Sequence, residues 1–257
     1  VGVEVVPQAI EDAKENAVRN GLADKTEFYC MDAGQAAQMF AAKGERPDAI
    51  VVEGPKAGGH LGYKEEQLAD EHFSLEALVP EIVAEVRAFG AEHDCHIPVI
   101  AGGGIYTGED IYRIMQLGAD GVQMGTRFVT TEECDADPAF KQTYLDAKPQ
   151  DIEIIKSPVG MPGRAIHSSF LDRVKEGLKR PKNCPFDCIK TCDVTHSPYC
   201  IMLALYNAFK GKLQNGYAFC GANAWRAEKI QSVRDLMAAL RDEYDNFSLK
   251  EKLFGAR

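Results

Sequence analysis

Long apolar runs are missing from this chain of 257 residues, and without a stretch of about 18 apolar residues a conventional membrane-spanning helix is excluded. A charged-then-apolar leader is missing too, and so is an initiating methionine. The chain opens Val1-Gly2-Val3-Glu4-Val5-Val6, already inside a strand-like alternation, and so reads as a fragment. Basic charge is scarce: 29 Lys and Arg against 39 Asp and Glu leave a net charge of -10. That balance argues against a nucleic-acid partner, because neutralising a phosphate backbone needs clustered cations. Cysteine is sparse for a disulfide scaffold, at eight in 257 residues. These absences describe a cytoplasmic protein with reduced thiols, no membrane segment and no nucleic-acid surface.

What is present is organised around residues 48–128. The apolar run Asp48-Ala49-Ile50-Val51-Val52 reads as a buried parallel strand, and it empties into Glu53-Gly54-Pro55-Lys56-Ala57-Gly58-Gly59-His60-Leu61-Gly62, a glycine-rich loop presenting one imidazole. Two more strand-then-glycine units follow, Ile97–Gly104 and Gly121–Phe128. Between them, Ile111, Ile114, Met115 and Leu117 have helical spacing and predict a crossover helix over residues 108–117. Glycines after neighbouring parallel strands let backbone N–H groups approach a phosphate with no Cβ in the way. In a β/α barrel that is the common phosphate site.

The motifs GPKAGGHLG, IPVIAGGGI and LGADGVQMGTRF, in that order, resemble the last three barrel strands of the nitronate monooxygenase family, whose fold the flavin-dependent enoyl-ACP reductases share. The resemblance implies an α/β fold holding part of a (β/α) TIM-type barrel, the C-terminal strands of an FMN barrel. It also implies an FMN-dependent oxidoreductase that oxidises alkyl nitronates with dioxygen, or, in the alternative, reduces enoyl thioesters. In either case the substrate is a small molecule. His60 matches the family's catalytic histidine, and an imidazole titrating near neutrality suits a base beside a nitro group. Glu53 and Gly58 map near the flavin ring, and Gly103, Gly104, Gln123, Met124, Gly125 and Thr126 map to the phosphate end. Bare N–H groups and the Thr126 hydroxyl suit a phosphate; a Glu53 carboxylate would repel a flavin carbonyl unless paired. His72, His93, His96, His167 and His196 lack such context and read as surface or structural residues.

The first fifty residues read as βαβα: a strand at the start, a helix over residues 7–20 stopped by Gly21, a strand at Thr26–Met31 and a helix over residues 34–43. They resemble the S-adenosylmethionine domain of ribosomal-RNA uracil-C5 methyltransferases, in which the cofactor acids would be Glu4 and Asp32. A junction is therefore expected near residues 44–52, with a methyltransferase fragment as one reading of the chain and a non-catalytic remnant as another. Three regions follow: residues 1–47 as the βαβα segment, 48–165 as the C-terminal part of the FMN barrel, and 166–257 as a helical, cysteine-containing C-terminal region. With five βα units at most, such a barrel cannot close on eight strands, and FMN is expected to bind weakly or not at all.

Beyond the barrel motifs, residues 157–165 are rich in Gly and Pro and read as an ordered loop. Cys184, Cys188 and Cys192 lie at helical spacing, with Cys200 and Cys220 beyond, but not at a C-x2-C spacing, so no metal is assigned and a packed cluster is expected. Residues 198–209 and 232–244 read as helices, the latter with Val233, Leu236, Met237 and Leu240 on one face. They are expected to cover the barrel or to pair subunits of a homo-oligomer.

Overall fold

A computed structural model of the chain describes residues 2–4, 7–30, 39, 42–43, 46–177, 184 and 192–254. Its contacts divide it into two units, residues 1–48 with 181–197, and residues 49–180 with 198–257.

In the smaller unit, β1 (Gly2–Glu4) leads into α1 (Pro7–Arg19) and returns as β2 (Phe28–Cys30), which pairs with β1 in parallel at Gly2↔Phe28. Pro7 takes the first helical position, where its missing N–H costs nothing, and Gly21 ends the helix at φ 65°. Ile10 and Ala17, seven residues apart, form the buried stripe of α1. Asp32, Cys188 and nearly all of the helix expected over residues 34–43 lie outside the described residues, as does the Glu4 side chain.

The larger unit is built on a parallel sheet. Strands β3 (Ile50–Glu53), β5 (Val99–Gly102) and β6 (Gly121–Gln123) lie in the order β3-β5-β6, with Ile50↔Val99 and Ile100↔Gly121 in register. The crossovers are α2 (Leu75–Glu92) and α3 (Gly108–Gln116). Ser74 caps α2, and Thr107 and Asp110 form a reciprocal capping box on α3. Leu75, Val79 and Val83 recur every fourth residue along α2 and pack with Ile114 of α3 against Val52, Val99 and Ala101. Only that face of β3 is covered: Val52 is 4% exposed and Val51 is 55% exposed. The continuous apolar run thus misleads, because full burial of a strand needs helices on both faces.

A second, antiparallel sheet has the order β4-β8-β7, made of β4 (Gly59–His60), β7 (Ile152–Lys156) and β8 (Pro162–Ile166). The segment expected to be a loop over residues 157–165 is therefore strand from Pro162 onward. Its Pro and Gly residues mark only the hairpin turn, closed by Ser157 N–H to the Met161 carbonyl, with Gly160 at φ 87°. His60 pairs with Gly163, so the histidine sits in a short strand rather than on the loop.

Short helices α4 (Thr126–Val129), α5 (Pro138–Asp146), α6 (Ser169–Lys175) and α7 (Ile201–Phe209) follow, and α8 (Val233–Phe254) is the last of the described elements. α8 runs ten residues beyond its expected end at residue 244, and Leu236 and Leu240 are buried while Met237 is 51% exposed. It crosses α3 at Gly108, where a Cβ would fall 2.2 Å from the Leu240 carbonyl oxygen, and the Gly108 N–H donates to Glu243 Oε2 at 2.7 Å. Among the described residues no helix is long and apolar enough to cross a membrane.

Candidate functional site

Parallel strands deliver their C-terminal ends to one side of a sheet, so the glycines that follow β3, β5 and β6 converge. The ladder continues one step past β3, with Gly54 N–H donating to the Gly102 carbonyl at 2.9 Å. Gly103 follows at φ 99°, a left-handed conformation open to glycine, and a Cβ there would lie 2.8 Å from the Gly54 carbonyl oxygen. The two strand ends are thereby pressed together.

A cavity of about 380 Å³ opens above them. Glu53 and Gly58 line it from the β3 side, Gly103 and Gly104 from β5, and Gln123, Met124, Gly125 and Thr126 from β6, so all eight residues assigned to the cofactor from sequence meet in one place. The amides of Gly103, Gly104 and Gly125 find no acceptor among the described residues. A Cβ on Gly125 would meet nothing within 4 Å. Thr126 Oγ1 accepts from Gly221 N–H at 2.8 Å, which leaves its own proton to donate. Unspent N–H donors around open space fit an anionic group such as a phosphate.

The rest of the wall comes from far along the chain. Phe219, Cys220, Gly221 and Asn223 line the cavity, and Asn223 Nδ2 donates to the Gly104 carbonyl at 2.5 Å. The Tyr144 hydroxyl donates to the Phe219 carbonyl at 2.5 Å. Burial pushes the Cys220 thiol up to about 12, so it stays protonated and packs as a small apolar group. Cys200 belongs with it to the larger unit, whereas Cys184 and Cys192 belong to the smaller one. Among the described residues no group of three His, Cys, Asp or Glu side chains could hold a metal ion.

His60 stands beside this cavity without lining it. Its ring is edge-on to Phe219 at 5.0 Å between centroids, and its Nε2 lies 2.7 Å from Ser157 Oγ. Partial burial holds the imidazole below its usual range, which favours the neutral ring at pH 7. Glu53 is shifted upward by desolvation, and no cation pairs with its carboxylate among the described residues. The loop between β3 and β4 is fixed from below by Arg164, 8% exposed, whose Nη1 donates to the carbonyls of Pro55 at 2.8 Å and Ala57 at 2.5 Å. Ser157, Arg164, Phe219 and Asn223 did not emerge as site residues from the sequence. The one available signal was Arg164, a lone charge between Gly163 and Ala165 in a segment with no other cation.

Known proteins bear on this arrangement. The nitronate monooxygenase family matches residues 2–243. A probable nitronate monooxygenase of Staphylococcus saprophyticus is 33% identical over 131 residues, 50% of this chain and 34% of that protein. One from Staphylococcus aureus strain Newman is 35% identical over 130 residues, again 34% of its length. The chain thus matches about a third of the length of these curated relatives. Among solved structures, FabK from Thermotoga maritima covers 100% of the chain and 78% of its own, with a TM-score of 0.63 at 24% identity, a likeness of fold. The nitroalkane oxidase of Streptomyces ansochromogenes covers 84% of this chain and 56% of its own, with a TM-score of 0.57 at 26% identity. The methyltransferase resemblance finds no support in these comparisons, because the family match begins at residue 2 and runs on across residues 44–52.

Proposed function

Because the chain belongs to the nitronate monooxygenase family, we propose that its larger unit forms the phosphate half of a flavin site, in a partial β/α barrel, and serves an FMN-dependent oxidation of alkyl nitronates by dioxygen. The observation that carries this reading is the single cavity in which Gly103, Gly104, Gly125 and Thr126 gather unspent donors. These residues would hold the FMN phosphate. When bound, the flavin would accept the substrate electrons and pass them to dioxygen.

The chain's own residues do the remaining work. Ser157 Oγ engages His60 Nε2, so Nδ1 is the ring nitrogen left to take a proton from a carbon next to a nitro group, or to orient a nitronate. The lowered basicity of His60 keeps that nitrogen unprotonated at neutral pH. Phe219, edge-on to the imidazole, limits its tilt. The larger unit supplies three parallel strands among the described residues, too few to close an eight-stranded barrel around the ring, which supports weak flavin binding.

Titrating the purified chain with FMN and, separately, with riboflavin tests this reading. The expected result is FMN binding that is lost on gel filtration and restored by added FMN, with riboflavin at least about tenfold weaker, a difference of ~1.4 kcal/mol. Equal affinity for the two, or no binding of either, overturns it. Oxygen uptake with an alkyl nitronate, set against nicotinamide oxidation with an enoyl thioester, separates the nitronate reading from the enoyl reductase one.

A further inference from the structure

Tyr106 is a wall with two sides. One side faces the glycine-lined cavity, and the other faces a second cavity of about 330 Å³ that shares no other lining residue with the first. Arg127 and Arg226 both lie over the Tyr106 ring, their guanidinium carbons 4.6 Å and 4.8 Å from its centroid. Asp110 reaches Arg226 at 3.7 Å while its carboxylate also accepts the N–H groups of Tyr106 and Thr107, so the start of α3 sets the ring and this arginine together.

Arg127 has no such partner. Its Nε is buried and without a hydrogen bond, and no carboxylate pairs with it among the described residues, in a chain whose net charge is -10. A buried N–H without a partner is costly, and stacking on an aromatic face spends none of the guanidinium's in-plane N–H groups. Tyr106 is 5% exposed, and its buried hydroxyl lies near Arg127 without forming a well-aligned hydrogen bond. Burial raises its pKa against the opposing pull of Arg127 and Arg226, so the hydroxyl keeps its proton as a donor. Lys229 adds a second cation to the lining. Two acids line the same cavity: Glu243 is occupied by the Gly108 N–H, and Glu228 can accept from an amine. Trp225, 40% exposed, contributes a flat ring to the lining, a platform on which a base can stack.

An unspent arginine, a lysine, a buried hydroxyl donor, an aromatic platform and a carboxylate acceptor together suit a phosphate joined to an amino-substituted aromatic ring. We propose that this pocket is a second binding site, for an adenosine phosphate, either a free nucleotide or the adenosine end of a dinucleotide. The phosphate takes the Arg127 fork and Lys229, and the base lies on Trp225 with its amine toward Glu228. This assignment rests on none of the flavin contacts.

Trp225 is the only tryptophan in the chain, so its emission reports the pocket directly. ADP titrated into the flavin-free chain is expected to change that emission saturably, with inorganic pyrophosphate binding more weakly. Arg127→Gln is expected to raise the ADP dissociation constant at least about tenfold. Lys229→Gln, at an exposed position, should raise it severalfold while leaving the circular dichroism spectrum unchanged, which keeps the test open should Arg127→Gln fail to fold. A parallel titration with NAD+ separates the two sources, since either ligand binding the more tightly supports the site. No saturable change, wild-type affinity in the Lys229→Gln chain, or stoichiometric displacement of ADP by FMN would overturn the assignment.

Discussion

Glycines around the two three-stranded sheets of the larger unit serve opposite ends. At the tip of the parallel sheet, a Cβ on Gly125 would meet nothing within 4 Å, and the space it leaves empty belongs to the cavity. Where the antiparallel sheet joins the chain, a Cβ on Gly58 would lie 2.7 Å from both the Cys220 carbonyl carbon and the Gly221 nitrogen, and one on Gly163 would lie 2.7 Å from the Phe219 ring. Here the space is already filled by backbone and an aromatic edge. Gly125 omits a side chain to make room for something foreign to the chain, whereas Gly58 and Gly163, like Gly103, omit one to let the chain's own segments touch. Glycine at a strand end becomes informative about ligands only when its surroundings are known.

Substitutions can break this contrast in graded fashion. Arg164→Leu should have the largest effect, because it strips the donor from two buried carbonyls at once. A loss of roughly 3 kcal/mol in denaturant unfolding is expected, and a midpoint equal to wild type would mean that the loop between β3 and β4 holds itself. Gly58→Ala forces a backbone shift and should cost about 1–3 kcal/mol. Gly125→Ala, set into open space, should move the unfolding midpoint by less than about 0.5 kcal/mol while weakening FMN binding. If the two alanine variants prove equally unstable, the distinction between Gly58 and Gly125 collapses. The smallest effect is at His60. An NMR titration of its ring should give a midpoint below 6.5, and Ser157→Ala should shift it further down, since the lost oxygen accepts from the charged ring. Because the folded value is depressed, the neutral ring's share of stability is present above 6.5 and is lost as pH falls through the folded midpoint. A midpoint above 6.5 would show that something anionic faces the ring.

How much of this was legible beforehand depends on the range of the forces involved. The strands and glycines of residues 48–128 could be read because the apolar run and the glycine positions are local requirements of the backbone. The helix Pro7–Arg19 was readable for the same reason, with a proline at its start and a glycine past its end. The helix Leu75–Glu92 went unanticipated; Pro80 interrupts its pattern, and its burial is confined to a narrow stripe. The hairpin partner of His60 was hidden because Pro162 and Gly163 look like breakers until Gly163 is seen paired with His60, and the Pro162 carbonyl with the Leu61 N–H, about a hundred positions earlier. Ser157, Phe219 and Asn223 reach the site only through such distant pairings, and no local pattern marks them. Val51 was misjudged because spacing states which residues share a face but not whether anything covers it.

The crossing of α3 and α8 at Gly108 also bears on the order in which the molecule is assembled. The bond from the Gly108 N–H to Glu243 ties together residues 135 apart in sequence, so it closes a loop with a high entropic cost and belongs among the last contacts to form. The same turn of α3 orients Tyr106 through Asp110. The partition between the two cavities is therefore expected to be set late in folding, after the parallel sheet has consolidated and only once α8 has been synthesised.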